Sequence, residues 1–220
     1  MDYGSPELDP EVMEQLVTST KKKVAALVTL GALLLLSACS STTAAFTVGK
    51  NSTSVSDVQK SVDNILAARK TVSTTGMTLQ TGSALVTNQV QFLLISQLLA
   101  DAGKSLGLTA TTSEVSQAKA AAIAQVGGEA VFPKALVNAG IDPKSIDLYF
   151  TSVVFSQKLT AYVQKNGATA ANTPAALTSL VSDVAAKEGV TVNPRYGKWD
   201  SKNATLVPVD TTSGAVTSTK

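Results

Sequence analysis

The sequence predicts a mostly α-helical domain of about six helices with a small β-sheet formed by short N- and C-terminal strands. Three observations carry this expectation. Apolar residues recur at helical spacing through two long stretches, Ser83–Leu106 and Ile146–Val163. Between and around them, Ser, Thr or Asp caps alternate with glycine-containing stops. Short β-branched runs occur only near the two ends of this region.

The elements follow in order. Ala44–Gly49 (AAFTVG) is a short β-type run, and Gly49-Lys50-Asn51 carries turn chemistry. Ser54-Val55-Ser56-Asp57 offers a serine cap with an acid three residues later. The apolar positions Val55, Val58, Val62, Ile65 and Leu66 then repeat as on a helix face, fading near Val72. Ser73–Gly82 is rich in Ser, Thr and Gly and reads as a loop. Over Ser83–Leu106 the apolar residues cover more than one helical face, which predicts a central, mostly buried helix. Polar residues from Asn88 to Lys104 interrupt it, favouring core packing over a membrane span.

Gly107-Leu108 supplies a left-handed residue followed by an apolar one, the chemistry of a helix stop. Thr111 with Glu114 forms a second capping box, opening an alanine-rich helix that runs from Thr112 to about Val126 and ends at Gly127-Gly128. Ala130–Asn138 is a short helix closed by Gly140. Asp142-Pro143 then starts a long helix that holds four of the ten aromatic residues. Thr173-Pro174 begins another, stopped at Gly189. Val190–Asn193 and Ala204–Val209 are β-type, flanking the cluster Pro194–Trp199. A lone short strand leaves its backbone groups unsatisfied, so the first and last ordered segments are expected to pair. The tail, residues 210–220, is expected to be disordered.

Composition narrows the chemistry. The chain has 220 residues, no histidine and a single cysteine. Without histidine there is no Ser-His-Asp or Cys-His pair, no HExxH metal site and no imidazole proton shuttle. A net charge of +2 gives no basic field for a nucleic-acid backbone. One cysteine forms no internal disulfide. The expectation is a protein that is not an enzyme, with no cofactor, no metal and no nucleic-acid partner.

The N-terminal region reads as an address. Three lysines, Lys21–Lys23, precede an apolar run from Val24 to Leu36, which ends in Leu36-Ser37-Ala38-Cys39. As a helix the run is about 20 Å long. A hydrocarbon core is roughly 30 Å thick, so the run suits a signal-peptide core better than a permanent span. Its last four residues resemble the bacterial lipobox. That resemblance implies diacylglycerol transfer to Cys39 and cleavage before it. Residues 21–38 are then a lipoprotein signal peptide and residues 39–44 a short polar tether. Residues 1–20 carry five acids and no base. They read as an unstructured extension or a start assigned too early, with initiation near Val17. The domain occupies residues 45–209.

The arrangement of elements resembles the N-terminal chaperone domain of SurA-type and PrsA-type foldases in actinobacterial-type lipoprotein form. The strand Phe46–Gly49, the helix start Ser54–Val58, the stop and restart Gly107-Leu108 and Thr111–Val115, and the spacing Phe132, Leu136, Gly140 carry the likeness. So does the closing segment from Val192 to Asp200. Foldases of this group often add a histidine-dependent parvulin domain of about a hundred residues, for which this chain has neither room nor residues. The resemblance therefore implies holdase activity without prolyl isomerisation.

Two readings of function follow. The first is a membrane-anchored chaperone at the extracytoplasmic face of the cell membrane, shielding unfolded or exported polypeptides in an apolar groove between helices. Tyr149, Phe150, Phe155 and Tyr162 are candidates to line it, with core packing the competing account of each. The second is an envelope lipoprotein that binds one specific folded partner or has a structural role. Tyr196 and Trp199 belong to the densest polar-aromatic cluster, either as a peptide contact or as pins holding the terminal strand onto the helices, with Arg195 at the rim. A carboxylate enzyme is disfavoured. Glu114 and Asp142 already act as caps, and Glu129, Asp147 and Asp183 lack a paired acid in a sugar-binding context. Gly127-Gly128 is a helix stop, since no GxxxxGK[ST] pattern follows it.

Overall fold

The computed structural model describes residues 43–207. Cys39, the apolar run Val24–Leu36 and the tail from Asp210 lie outside the described residues.

The described chain is mostly helical with short antiparallel strands, as the pattern predicts. It opens with β1 (Ala44–Val48) and β2 (Asn51–Ser54). Helix α1 (Val55–Arg69) follows directly, and its serine cap is as read. The Ser54 hydroxyl accepts from Asp57 N, while the Asp57 carboxylate receives the Ser54 hydroxyl at 2.7 Å. Helix α2 (Gly82–Ser105) comes after a loop, then α3 (Thr112–Gln125) and α4 (Phe132–Ala139). A 3-10 turn (Pro143–Ser145) leads into α5 (Ile146–Lys165), and α6 (Thr173–Glu188) completes the helices. The chain ends in β3 (Val190–Val192), a second 3-10 turn (Pro194–Tyr196), β4 (Lys198–Asp200) and β5 (Thr205–Val207).

The strand pairing departs from expectation in two ways. Asn51–Ser54, read as turn and helix start, is a strand. The two-residue turn Gly49-Lys50 folds it back so that Val48 faces Asn51. Gly49 has φ +58°, which suits glycine at the first central position of such a turn. The N- and C-terminal strands do pair, as expected, but through β3 and not through the last segment. β1 pairs with β3, Phe46 opposite Val192, giving a sheet of order β2-β1-β3. β5 pairs instead with β4. The cause is local, because the Asp200 carboxylate accepts from Lys202 N at 2.9 Å and from the Asn203 amide at 2.7 Å, turning the chain into a hairpin. Asp142-Pro143 shows a smaller difference. Asp142 caps Lys144 N at 2.8 Å, and the turn it opens is 3-10 before the α-helix begins.

Helix α2 is central, packing against α1, α5, α6 and β1. By length and composition alone it is apolar enough to cross a membrane. Here Val90, Leu94, Leu98 and Ala102 form its fully buried stripe, repeating every four residues. They meet Phe46, Val58, Leu159, Val181 and Leu206 in the main core. Each full burial of a side chain of this size contributes about 1.5–3 kcal/mol. A second cluster, built on Phe132, Leu136 and Phe150, lies where α3 and α4 meet the start of α5.

A buried polar seam ties these elements together. Ser61 on α1 donates to the Gln89 side chain on α2 at 3.0 Å, and Gln89 donates to Gly140 O at 3.0 Å. Beside it the buried Asp142 receives Asn64 at 3.2 Å and Ser145 at 2.9 Å. Every one of these buried groups has a partner, which is the condition for a polar seam not to destabilise the core.

Candidate functional site

The apolar stripe of α2 that faces the core leaves a second one over. Phe92, Ile95, Ser96 and Leu99 stand at i, i+3, i+4 and i+7, and on α5 Tyr149, Ser152, Val153 and Ser156 repeat the same spacing. These two stripes form a groove of about 360 Å³ between α2 and α5, with Gln91 at its edge. Its volume falls within the range of sites that take small apolar groups or side chains. A second recess of about 150 Å³ shares Phe92 and Tyr149 and adds Asn88, Gln89 and Ile141, so the apolar trough ends against polar groups.

Packing sets the groove's width. α2 and α5 run in the same sense, since Phe92 lies by Tyr149 and, further along both, Gly103 lies by Phe155. At Gly103 the absence of a side chain lets the Phe155 ring press onto the helix. Above that contact the Phe92 and Tyr149 rings, with centroids 6.2 Å apart, form one wall of the groove. Tyr149 stands edge-on to Phe150 at 5.1 Å, and Phe150 stacks toward Phe132 at 6.4 Å. The four rings make a continuous aromatic row from the groove into the second core cluster.

The residues singled out from sequence are not gathered into one site. Tyr149 is half-buried and lines the groove. Phe150 does not line it. At 3% exposure it is a core residue, because its neighbour Tyr149 takes the outward-facing position. Tyr162 lies thirteen residues beyond Tyr149, roughly 140° around the helix, on another flank of α5. Tyr196, 8% exposed, belongs to the main core, and its carbonyl accepts from Thr87 at 3.4 Å. Trp199 is half-buried against the same cluster. Both pin the terminal segment onto the helices, while Arg195 is exposed at the rim, 6.0 Å from the Tyr196 ring. Cys39 lies outside the described residues.

The groove residues Phe92, Ile95, Leu99 and Val153 were not singled out from sequence. The available signal was the run Phe92-Leu93-Leu94-Ile95, which wraps more of the helix than one packing partner covers.

Electrostatic features lie away from the groove. Glu114 is held at a pKa of about 2 by its contact with the Lys158 ammonium at 2.6 Å, aided by the Thr111 cap. The Ser54 hydroxyl lowers Asp57, and the Asn203 amide lowers Asp200. Among the described residues no cluster of three metal-ligating side chains occurs.

Compared with protein-family models, with curated proteins and with solved structures, the chain matches none.

Proposed function

We propose that this protein is a membrane-anchored extracytoplasmic lipoprotein that acts as a holdase-type chaperone for exported polypeptides, binding without isomerase catalysis. The observation that carries the reading is the open apolar trough between α2 and α5, walled by the half-buried Phe92, Ile95, Leu99, Tyr149 and Val153. A holdase needs apolar surface that accepts varied side chains and needs no reactive group. The signal-like run and lipobox ending at Cys39 support the location, and the order of helices supports the chaperone class.

Photocrosslinking in the cells that make the protein tests this. A photoreactive phenylalanine analogue at Tyr149 reports on the groove, and the same analogue at Tyr162 samples a flank away from it. Many unrelated exported polypeptides attached at Tyr149, and few at Tyr162, are expected. A single recurrent partner would replace the chaperone reading with that of a dedicated envelope lipoprotein. Equal labelling at both positions would remove the groove from the account.

A further inference from the structure

We infer that α3 is a lid over the second aromatic cluster, hinged at glycines on both sides, whose opening extends the α2–α5 groove past Tyr149. Among the described residues α3 is the only α-helix with no buried residue. Its inner stripe, Val115, Ala118, Ala122, Ile123 and Val126, rests only half-buried on Phe132, Leu136 and Phe150. The helix packs chiefly against α5. A helix that covers a core without burying any residue contributes little apolar burial of its own, so its opening costs less than global unfolding.

The ends and edges of α3 fit the same reading. Gly107 before it, at φ +70°, and Gly127 and Gly128 after it, at +100° and +105°, hold conformations that favour glycine. Beyond the apolar stripe the polar fastenings are few. Lys158 of α5 contacts Glu114 at 2.6 Å and donates to Thr109 O at 2.5 Å, and Lys119 approaches Asp147 at 4.0 Å. Along the free edge of the helix, a cavity of about 480 Å³ lies between Lys119, Ile123, Gly128 and Asp147. Beneath α3 the rings of Phe132 and Phe150 continue the aromatic row that starts at Phe92 and Tyr149 in the groove. With α3 swung away, the short trough becomes one longer apolar surface able to take an extended run of client side chains. This purpose rests on the chaperone reading; the opening itself does not.

Hydrogen exchange on the full-length chain, resolved to segments, tests the opening. In the unaltered protein the α3 amides should exchange ahead of those at Leu94 and Leu98 in α2. Ile123→Ala should speed α3 exchange by about tenfold and leave the α2 amides unchanged, because it removes only lid packing. Exchange of α3 together with α2 in the unaltered chain would overturn the lid, whatever the variant does. The second arm places the photoreactive analogue at Phe150, where client capture requires an open α3. Capture at both Tyr149 and Phe150 supports the extended surface, and capture at Tyr149 alone overturns it. Capture at neither removes the chaperone reading instead, and exchange still decides whether α3 opens.

Discussion

Gly103 of α2 and Phe155 of α5 meet so closely that a methyl group built on the glycine would overlap the phenylalanine ring. The clash falls on a ring and not on a flexible tip, and the ring is only 6% exposed. Gly103→Ala should therefore destabilise the protein by about 1–3 kcal/mol, the usual result of overpacking a filled interior. Urea titration should show a lower midpoint with an unchanged slope. Phe155→Leu in the same chain should recover part of the loss, because it removes the ring that the methyl group strikes; no recovery would place the strain elsewhere.

Gln89 spans Ser61 and Gly140, with both contacts at 3.0 Å. Gln89→Leu keeps the volume roughly but leaves the buried Ser61 hydroxyl and the half-buried Gly140 carbonyl without this partner, a cost of about 1–3 kcal/mol. Ser61→Ala together with Gln89→Leu should cost less than Gln89→Leu alone. A double variant as unstable as the simple sum would mean that the two side chains do not act as a pair.

Gln91 holds the β4–β5 hairpin by its amide, donating to Ala204 O at 3.4 Å and accepting from Leu206 N at 2.5 Å. Ala204 is the one non-glycine residue among the described residues with positive φ, at +48°, so the turn is strained where Gln91 grips it. Gln91→Leu should loosen the hairpin while the helices stay folded. Trp199, the only tryptophan of the chain, pairs with Leu206 and reports this directly. Its emission should shift to the red, and helical circular dichroism should remain. An unshifted spectrum would argue that apolar packing alone holds the hairpin.

Glu114 gives α3 a pH dependence of definite sign. Its carboxyl titrates near 2 when folded, against an ordinary value of 4.5, because Lys158 and the Thr111 cap favour the charged form. The stabilisation it lends is fully present above pH 4.5 and is lost as pH falls from there toward 2. Protection of the α3 amides should fall over this window ahead of protection in α2. Glu114→Gln should lower α3 protection at neutral pH and flatten its fall in acid; a profile unchanged by the substitution would remove Glu114 from the fastening.

Much of the fold was legible because it rests on local chemistry. The capping pairs Ser54–Asp57 and Thr111–Glu114 formed as read, as did the stop at Gly107, where Leu108 N reaches Gly103 O at 2.8 Å. The polar strand Asn51–Ser54 was not legible, since it has no alternating apolar residues and exists only by pairing with β1. The hairpin of Lys198–Asp200 with Thr205–Val207 was missed for a similar reason. Its register depends on the Asp200 turn, which competes with pairing to a distant strand.

The site divides along the same line. Sequence by itself determined that α2 carries more apolar surface than one neighbour can cover, and that aromatic residues gather on α5. Periodicity fixes which residues share a helix face, but not which faces meet. Only tertiary packing decided that Tyr149 lines a groove while Phe150, one residue on, is buried. The approach of α5 to α2 at Gly103 sets the rotation of α5, and that rotation decides which of two neighbouring rings faces water.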